Sequence, residues 1–288
     1  MPVPIEDIWF SASDGLRLHA LAMASNRDNV PAVCLPGISR TAEDFRMLLA
    51  AFAKNGNARP AFALDSRGRG LSGRDNNPAN YSVPVELADL ITFLDTQNIE
   101  RAIFVGTSRG GILTMALASI MPQRIAGAVL NDVGPVLDMA GLLRIKGYVG
   151  KLPPPRSWAE AVKALKSIMA KQFPAFAEQD WESYARRTWD DRFQPRSDPA
   201  ISAAFAGIDA DNPPPALWPQ FDSLAAAAPI LVLRGEHSDL LSRETLAEMR
   251  RRAPRLETFE VAGQGHAPAL ERADVIEPIL RFVARCDP

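Results

Sequence analysis

Phe104-Val105-Gly106-Thr107-Ser108-Arg109-Gly110-Gly111 is the stretch whose reading decides the fold. The apolar run at 102–105 predicts a buried strand, and 110–118 predicts a helix. Between them Ser108 occupies a Gly-x-Ser-x-Gly frame. A serine on so sharp a strand-to-helix turn needs small residues around it, because any side chain there meets neighbouring backbone. The turn lifts the hydroxyl out of the sheet and above the N-terminus of the following helix, where backbone N–H groups can hold a developing oxyanion.

Working outward, composition agrees with a large α/β domain. The chain has 288 residues, 47% of them hydrophobic, enough for a substantial core. A net charge of −2 with acids and bases intermixed excludes the basic stripe of a nucleic-acid binder. The first residues carry no basic and apolar leader pattern, and the most apolar window, 224–233, is too short to span a bilayer. Two cysteines, Cys34 in a strand and Cys286 near the end of the last helix, suggest reduced thiols and a cytoplasmic setting. Three scattered histidines offer no metal-ligand spacing, so neither a metal nor a cofactor is expected.

Upstream, residues 7–11 and 16–23 read as strands joined at Asp14-Gly15, with His19 as an edge-strand side chain. A short strand at 31–35 runs into Pro36-Gly37-Ile38, and a helix follows from 42 to about 54 with Phe45, Leu48, Leu49 and Phe52 on its apolar face. That glycine turn would aim the Ile38 N–H at the elbow, where it and the Arg109 N–H make a two-donor oxyanion hole. A strand at 61–64 leads to Gly68, Gly70 and Gly73, a literal match to the dinucleotide fingerprint. No helix begins at those glycines, so nucleotide binding is not expected.

The segment Asp65-x-Arg67-Gly68-x-Gly70-x-Ser72, together with the Ser108 turn, resembles the α/β-hydrolase superfamily, in its branch of capped esterases, lactonases and carbon–carbon hydrolases. The resemblance runs from Leu35 to the C-terminus. It departs from the usual pattern in having Pro36-Gly37 where many members carry His-Gly, and Arg109 directly after the nucleophile. That arginine would narrow the pocket, attract an anionic substrate or pair with a carboxylate of the cap.

A helix at 85–94 and strands at 102–105 and 125–130 continue the alternation, which predicts a mostly parallel central sheet flanked by helices. From 136 to 221 the periodicity turns helical, aromatics such as Trp158, Phe173, Trp181 and Tyr184 cluster, and proline runs punctuate it at 153–155 and 213–215. This reads as a helical cap inserted after the sixth strand, with 1–135 and 222–288 as the core. Strands at 229–233 and 258–261 and a helix at 243–252 complete the core.

The resemblance assigns the acid to the loop after the 229–233 strand and the base to the Gly263-Gln264-Gly265-His266 turn. Ser108, Asp239 and His266 then follow in the nucleophile–acid–base order of this fold. Asp132, at the end of the preceding core strand, is the alternative acid, with Glu236 behind it; His237 reads as structural. The expectation is therefore a serine hydrolase acting on a carboxylic ester or lactone. Cleavage of a carbon–carbon bond beside a ketone uses the same residues, and a ligand-binding protein on this fold is the reading from another class. The partner is a small, hydrophobic substrate, with no nucleic acid and no membrane; oligomeric state is not encoded in any motif.

Overall fold

The computed structural model describes residues 4–25, 29–53 and 58–287. An eight-stranded sheet runs in the order β1 (Ile5–Ser11), β2 (Arg17–Met23), β4 (Ala61–Asp65), β3 (Ala32–Leu35), β5 (Ala102–Thr107), β6 (Ile125–Asn131), β7 (Ile230–Gly235) and β8 (Glu257–Val261). The pairings β1–β2 and β2–β4 are antiparallel and the rest are parallel. Near-continuous apolar strands such as Ala32–Leu35 and Ile125–Asn131 are buried at every position, as a sheet covered on both faces requires.

Alternation along the strands sorts two cores. Val33, Leu35 and Phe104 point to one face, where they meet helices α2 (Val83–Thr96), α3 (Arg109–Ile120) and α7 (Trp218–Ala227). Cys34, Ile103 and Val105 point to the other, beneath α1 (Arg46–Phe52) and α9 (Ala273–Val283). The stretch expected as one helix from residue 42 divides into a 3₁₀ turn, Ala42–Phe45, and α1; its expected end at Lys54 lies outside the described residues. Phe45, Leu48, Leu49 and Phe52 are all buried as the periodicity required. Cys286 lies just past α9 and, like Cys34, is a free thiol.

Between β6 and β7 the chain forms α4 (Met139–Tyr148), α5 (Trp158–Met169), α6 (Glu178–Thr188) and a 3₁₀ segment, Pro199–Phe205, before α7. Val162, Leu165 and Met169 of α5 close on Trp181 and Ala185 of α6 in a small core of their own. Helix α7 crosses the expected 221/222 boundary, and its Phe221 and Leu224 are buried in the sheet-side core. His19 is not on an edge: β2 lies between β1 and β4, so the imidazole is buried, with Nδ1 2.7 Å from Asp65 Oδ2 and Nε2 3.0 Å from Asp7 Oδ1. A hydrophobic pattern reveals a strand but not its neighbours, which is why the edge assignment failed.

The three glycines of the apparent dinucleotide fingerprint serve a loop and not a helix. Gly68 and Gly70 have φ of +74° and +56°, and a Cβ on Gly70 would lie 2.0 Å from the Asp65 carboxylate.

Candidate active site

Ser108 sits between β5 and α3 with φ 50° and ψ −111°, a conformation a non-glycine residue adopts only when its surroundings enforce it. The glycines make it possible. A Cβ on Gly110 would lie 2.1 Å from the Leu35 carbonyl oxygen, and one on Gly106 would lie 2.5 Å from the Gly110 carbonyl carbon. The Ser108 N–H donates to the Asn131 carbonyl at 3.1 Å, tying the turn to the neighbouring strand.

Ser108 Oγ lies 2.9 Å from His266 Nε2. His266 Nδ1 lies 2.9 Å from Asp132 Oδ2 and 3.1 Å from the Asp132 carbonyl. A serine hydroxyl that donates to Nε2 requires the proton on Nδ1, and Asp132 is its acceptor. The Asp132 carboxylate is fully buried and takes two further donors, the Gly235 N–H at 2.7 Å and the Ser238 hydroxyl at 2.6 Å.

The acid beside the imidazole is thus Asp132, and the expectation for Asp239 is corrected. Asp239 is turned the other way, and both its oxygens accept from Arg144 of α4, at 2.6 and 2.8 Å. Its carbonyl also receives the Gly141 N–H at 2.9 Å. The reason lies in register. Thr107 pairs with Asn131 and Asn131 with Leu233, so Ser108 and Asp132 are each the first residue past the end of adjacent parallel strands. Asp132 then takes a left-handed φ of 56°, and its carboxylate accepts from both Gly235 and Ser238 of the following strand and loop. Ser238, the neighbour of Asp239, is the residue of this loop whose side chain reaches the Asp132 carboxylate. Glu236 accepts instead from the Gly263 N–H at 2.7 Å, and His237 is solvent-exposed.

The loop carrying His266 is pinned from two sides. Asn131 Nδ2 donates to the Pro268 carbonyl at 2.9 Å, and Gln172, beyond α5, accepts the His266 N–H at 3.2 Å. Neither Gln172 nor Ser238 was visible as a site residue in the sequence. Ser238 stands one position before the carboxylate that attracted the assignment, and Gln172 lies in a segment with no motif.

Ile38 and Ser108 line the same cavity, and an ideal Cβ on Gly37 would lie 3.8 Å from Ser108 Cβ, so the glycine turn after β3 does reach the elbow. The residues of this turn are held through one buried carboxylate. Glu86 of α2 accepts from Arg69 at 2.8 Å and from Arg109 at 2.9 Å, while Arg69 also donates to the Ile38 carbonyl at 2.7 Å. Burial pushes the Glu86 carboxyl up, but the two guanidiniums outweigh it and hold it below its ordinary range. The Arg109 side chain therefore pairs with a carboxylate of the core, not of the helical insertion.

Two spaces open at Ser108. One, about 320 Å³, is mostly apolar, with Ile112, Leu142, Ile145, Phe205 and Ile208 among its walls. The other, about 60 Å³, brings Arg40, Asp44, Tyr148, Tyr184 and Arg187 up to Ser108 and His266. Ile145 of α4 lines both. Among the described residues no group of three or more His, Cys, Asp or Glu is placed to hold a metal ion, and no helix is long and apolar enough to cross a membrane.

A serine, an imidazole and a carboxylate stand in line at the ends of β5, β8 and β6, and the chain as a whole resembles known proteins in sequence and fold. The alpha/beta hydrolase family model covers residues 32–278. The chain belongs to the alpha/beta hydrolase family. It is 32% identical over 248 residues to the 3-hydroxybutyrate-oligomer hydrolase of Cupriavidus necator, covering 82% of each chain. It is 26% identical over 208 residues to the 2-(acetamidomethylene)succinate hydrolase of Mesorhizobium japonicum, covering 71% of this chain and 70% of that one. The crystal structure of an alpha/beta hydrolase from Novosphingobium aromaticivorans superposes with a TM-score of 0.90 at 38% identity, over 98% of this chain and 99% of the other. This hydrolase has the fold its Ser108 turn implied.

Proposed function

We propose that this protein is a serine hydrolase that cleaves carboxylic esters or lactones through an acyl-enzyme on Ser108. The observation that carries the reading is the unbroken line of contacts from Ser108 Oγ to His266 Nε2 and from His266 Nδ1 to Asp132, each at 2.9 Å. In this reading the Ser108 oxygen attacks the acyl carbon as its proton passes to Nε2. Asp132 keeps Nδ1 protonated and stabilises the imidazolium. The carbonyl oxygen, now negative, is met by the N–H groups of Ile38 and Arg109. Collapse expels the alcohol, which leaves with the proton from Nε2. Water then repeats the sequence to free the acid and restore Ser108.

The 136–221 segment serves as a cap that roofs the two spaces. The relative named as a 3-hydroxybutyrate-oligomer hydrolase supports a short hydroxy-acid ester as the substrate class. The preorganised Ser–His contact favours turnover over mere ligand binding. The test is steady-state hydrolysis of 4-nitrophenyl butyrate together with labelling by a fluorophosphonate probe. Both should be abolished in Ser108→Ala, with rate losses of about 10⁴- to 10⁶-fold. Undiminished turnover in that variant, or at most one turnover in the parent, sinks the reading.

A further inference from the structure

The smaller space at Ser108 contains more charge than the proposed ester chemistry needs. Arg40 comes from the turn after β3 and Arg187 from the last turn of α6, so two guanidiniums far apart in sequence face one cavity with Ser108 and His266. Arg40 donates twice to Asp44, at 2.7 and 2.6 Å, and lies 4.0 Å over the Tyr184 ring. Arg187 shares Asp44 at 3.0 Å and donates to Ser183 at 2.7 Å and to Glu271. Tyr148 and Tyr184 line the same wall.

The two carboxylates differ. Asp44 is locked between both arginines, whereas Glu271, on the loop five residues past His266, pairs among the described residues with Arg187 alone. Arg187 and Glu271 also line a wide outer cleft whose charged walls are Arg46, Arg186 and Arg196 against one further carboxylate, Glu43, which pairs with Arg46. The pair therefore stands between the catalytic cavity and a basic surface cleft. Burial depresses the Arg187 guanidinium, with Arg40 adding to the effect, despite Asp44. A further anion at this place would be stabilised, because a guanidinium in a dry site binds carboxylate through paired, charge-assisted donors.

We propose that Arg187, supported by Arg40, binds the free carboxylate of a short carboxylate-bearing ester, and that Glu271 is the built-in ligand this carboxylate displaces. Substrate carboxylate enters from the basic cleft, takes the place of Glu271 on Arg187, and leaves the scissile carbonyl at Ser108 with its apolar part in the 320 Å³ space. Glu271 returns when the acid product departs. This rests on the serine-ester reading above and adds to it the anionic end of the substrate and the residues that select it.

The experiment compares kcat/KM for the linear dimer of 3-hydroxybutyrate with that for its neutral carboxamide, in the parent, Arg187→Met and Glu271→Gln. The parent should prefer the acid. The acid-to-amide ratio should fall about 10- to 100-fold in Arg187→Met, the range of a charge-assisted hydrogen bond, and rise several-fold in Glu271→Gln, where the competing charge is gone. Opposite signs are the signature, and the Glu271 variant keeps Arg187 in place should the other fail to fold. No acid preference in the parent, a preference untouched by Arg187→Met, or a ratio lowered by Glu271→Gln overturns the proposal. Turnover of 4-nitrophenyl butyrate in the same samples separates the two levels: if it is present, only the carboxylate subsite has failed, and if absent, the ester reading falls and the subsite with it.

Discussion

At the scale of single residues, the two aspartates near His266 should separate cleanly. Asp132→Asn removes the acceptor that fixes the imidazole tautomer, so kcat should fall about 10⁴-fold by analogy with serine proteases. Asp239→Asn leaves the imidazole contacts intact and weakens only the bidentate pair with Arg144, so it should lower stability and spare the chemical step. Kinetics and thermal melting of the two variants check this, and a reversed ranking in kcat would return the acid role to Asp239. Glu86 acts at one remove, through Arg69 on Ile38 and through Arg109 beside Ser108. Glu86→Gln should lower kcat by about 10- to 100-fold with little change in KM, because oxyanion stabilisation belongs to the transition state. An equal rise in KM with constant kcat would place Glu86 in substrate binding instead.

At the scale of elements, the turn between β5 and α3 depends on close backbone approach. Gly110→Ala would drive a methyl into the Leu35 carbonyl, so the variant should lose about 1 to 3 kcal/mol or more and its hydrolase activity together. A variant as stable and active as the parent would show that β3 can yield. On the other side of the sheet, His19 bridges three strands by contacting Asp7 of β1 and Asp65 of β4. Burial pulls the imidazole down, but the Asp65 and Asp7 carboxylates pull it up further, and the net shift is upward. A raised value means that the folded chain holds the proton more tightly than the unfolded one. The resulting stabilisation is complete below about pH 6.5, the unfolded value, and disappears as pH rises through the folded value. Urea unfolding at a series of pH values should show stability declining across that window in the parent and a flatter profile in His19→Gln. Identical profiles would mean that His19 is not the group that titrates.

At the scale of the molecule, the sheet positions the reactive groups, and the helices between β6 and β7 shape what reaches them. Ile145 on α4 borders both spaces and is buried, so it sets how far the apolar space extends toward Ser108. Ile145→Ala should shift preference toward longer acyl chains, by no more than about 1 to 3 kcal/mol per methylene accommodated, since apolar walls discriminate weakly. A chain-length series of 4-nitrophenyl esters measures it; an unchanged optimum would place the acyl chain elsewhere.

Local sequence determined much of this protein. Glycines at 106, 110 and 111 around Ser108 can serve only a crowded turn, and apolar runs bounded by turn residues announce strands wherever they occur. Ser108 and His266, which lie 2.9 Å apart, were legible as a pair because each sits in a glycine-framed turn whose purpose is local. The acid was not, because its identity depends on which strand ends lie side by side. Asp132 and Asp239 both follow strands, and only the pairing of β5 with β6 and β6 with β7 brings the first of them to His266. The same holds for Arg40 with Arg187, 147 positions apart by their numbers, and for Glu86 between Arg69 and Arg109. Hydrophobic periodicity and turn chemistry are properties of neighbouring residues, so a chain displays them on its own. A charged side chain's partner is chosen by packing across the sheet and the helices above it, and that choice exists only once the tertiary structure has formed.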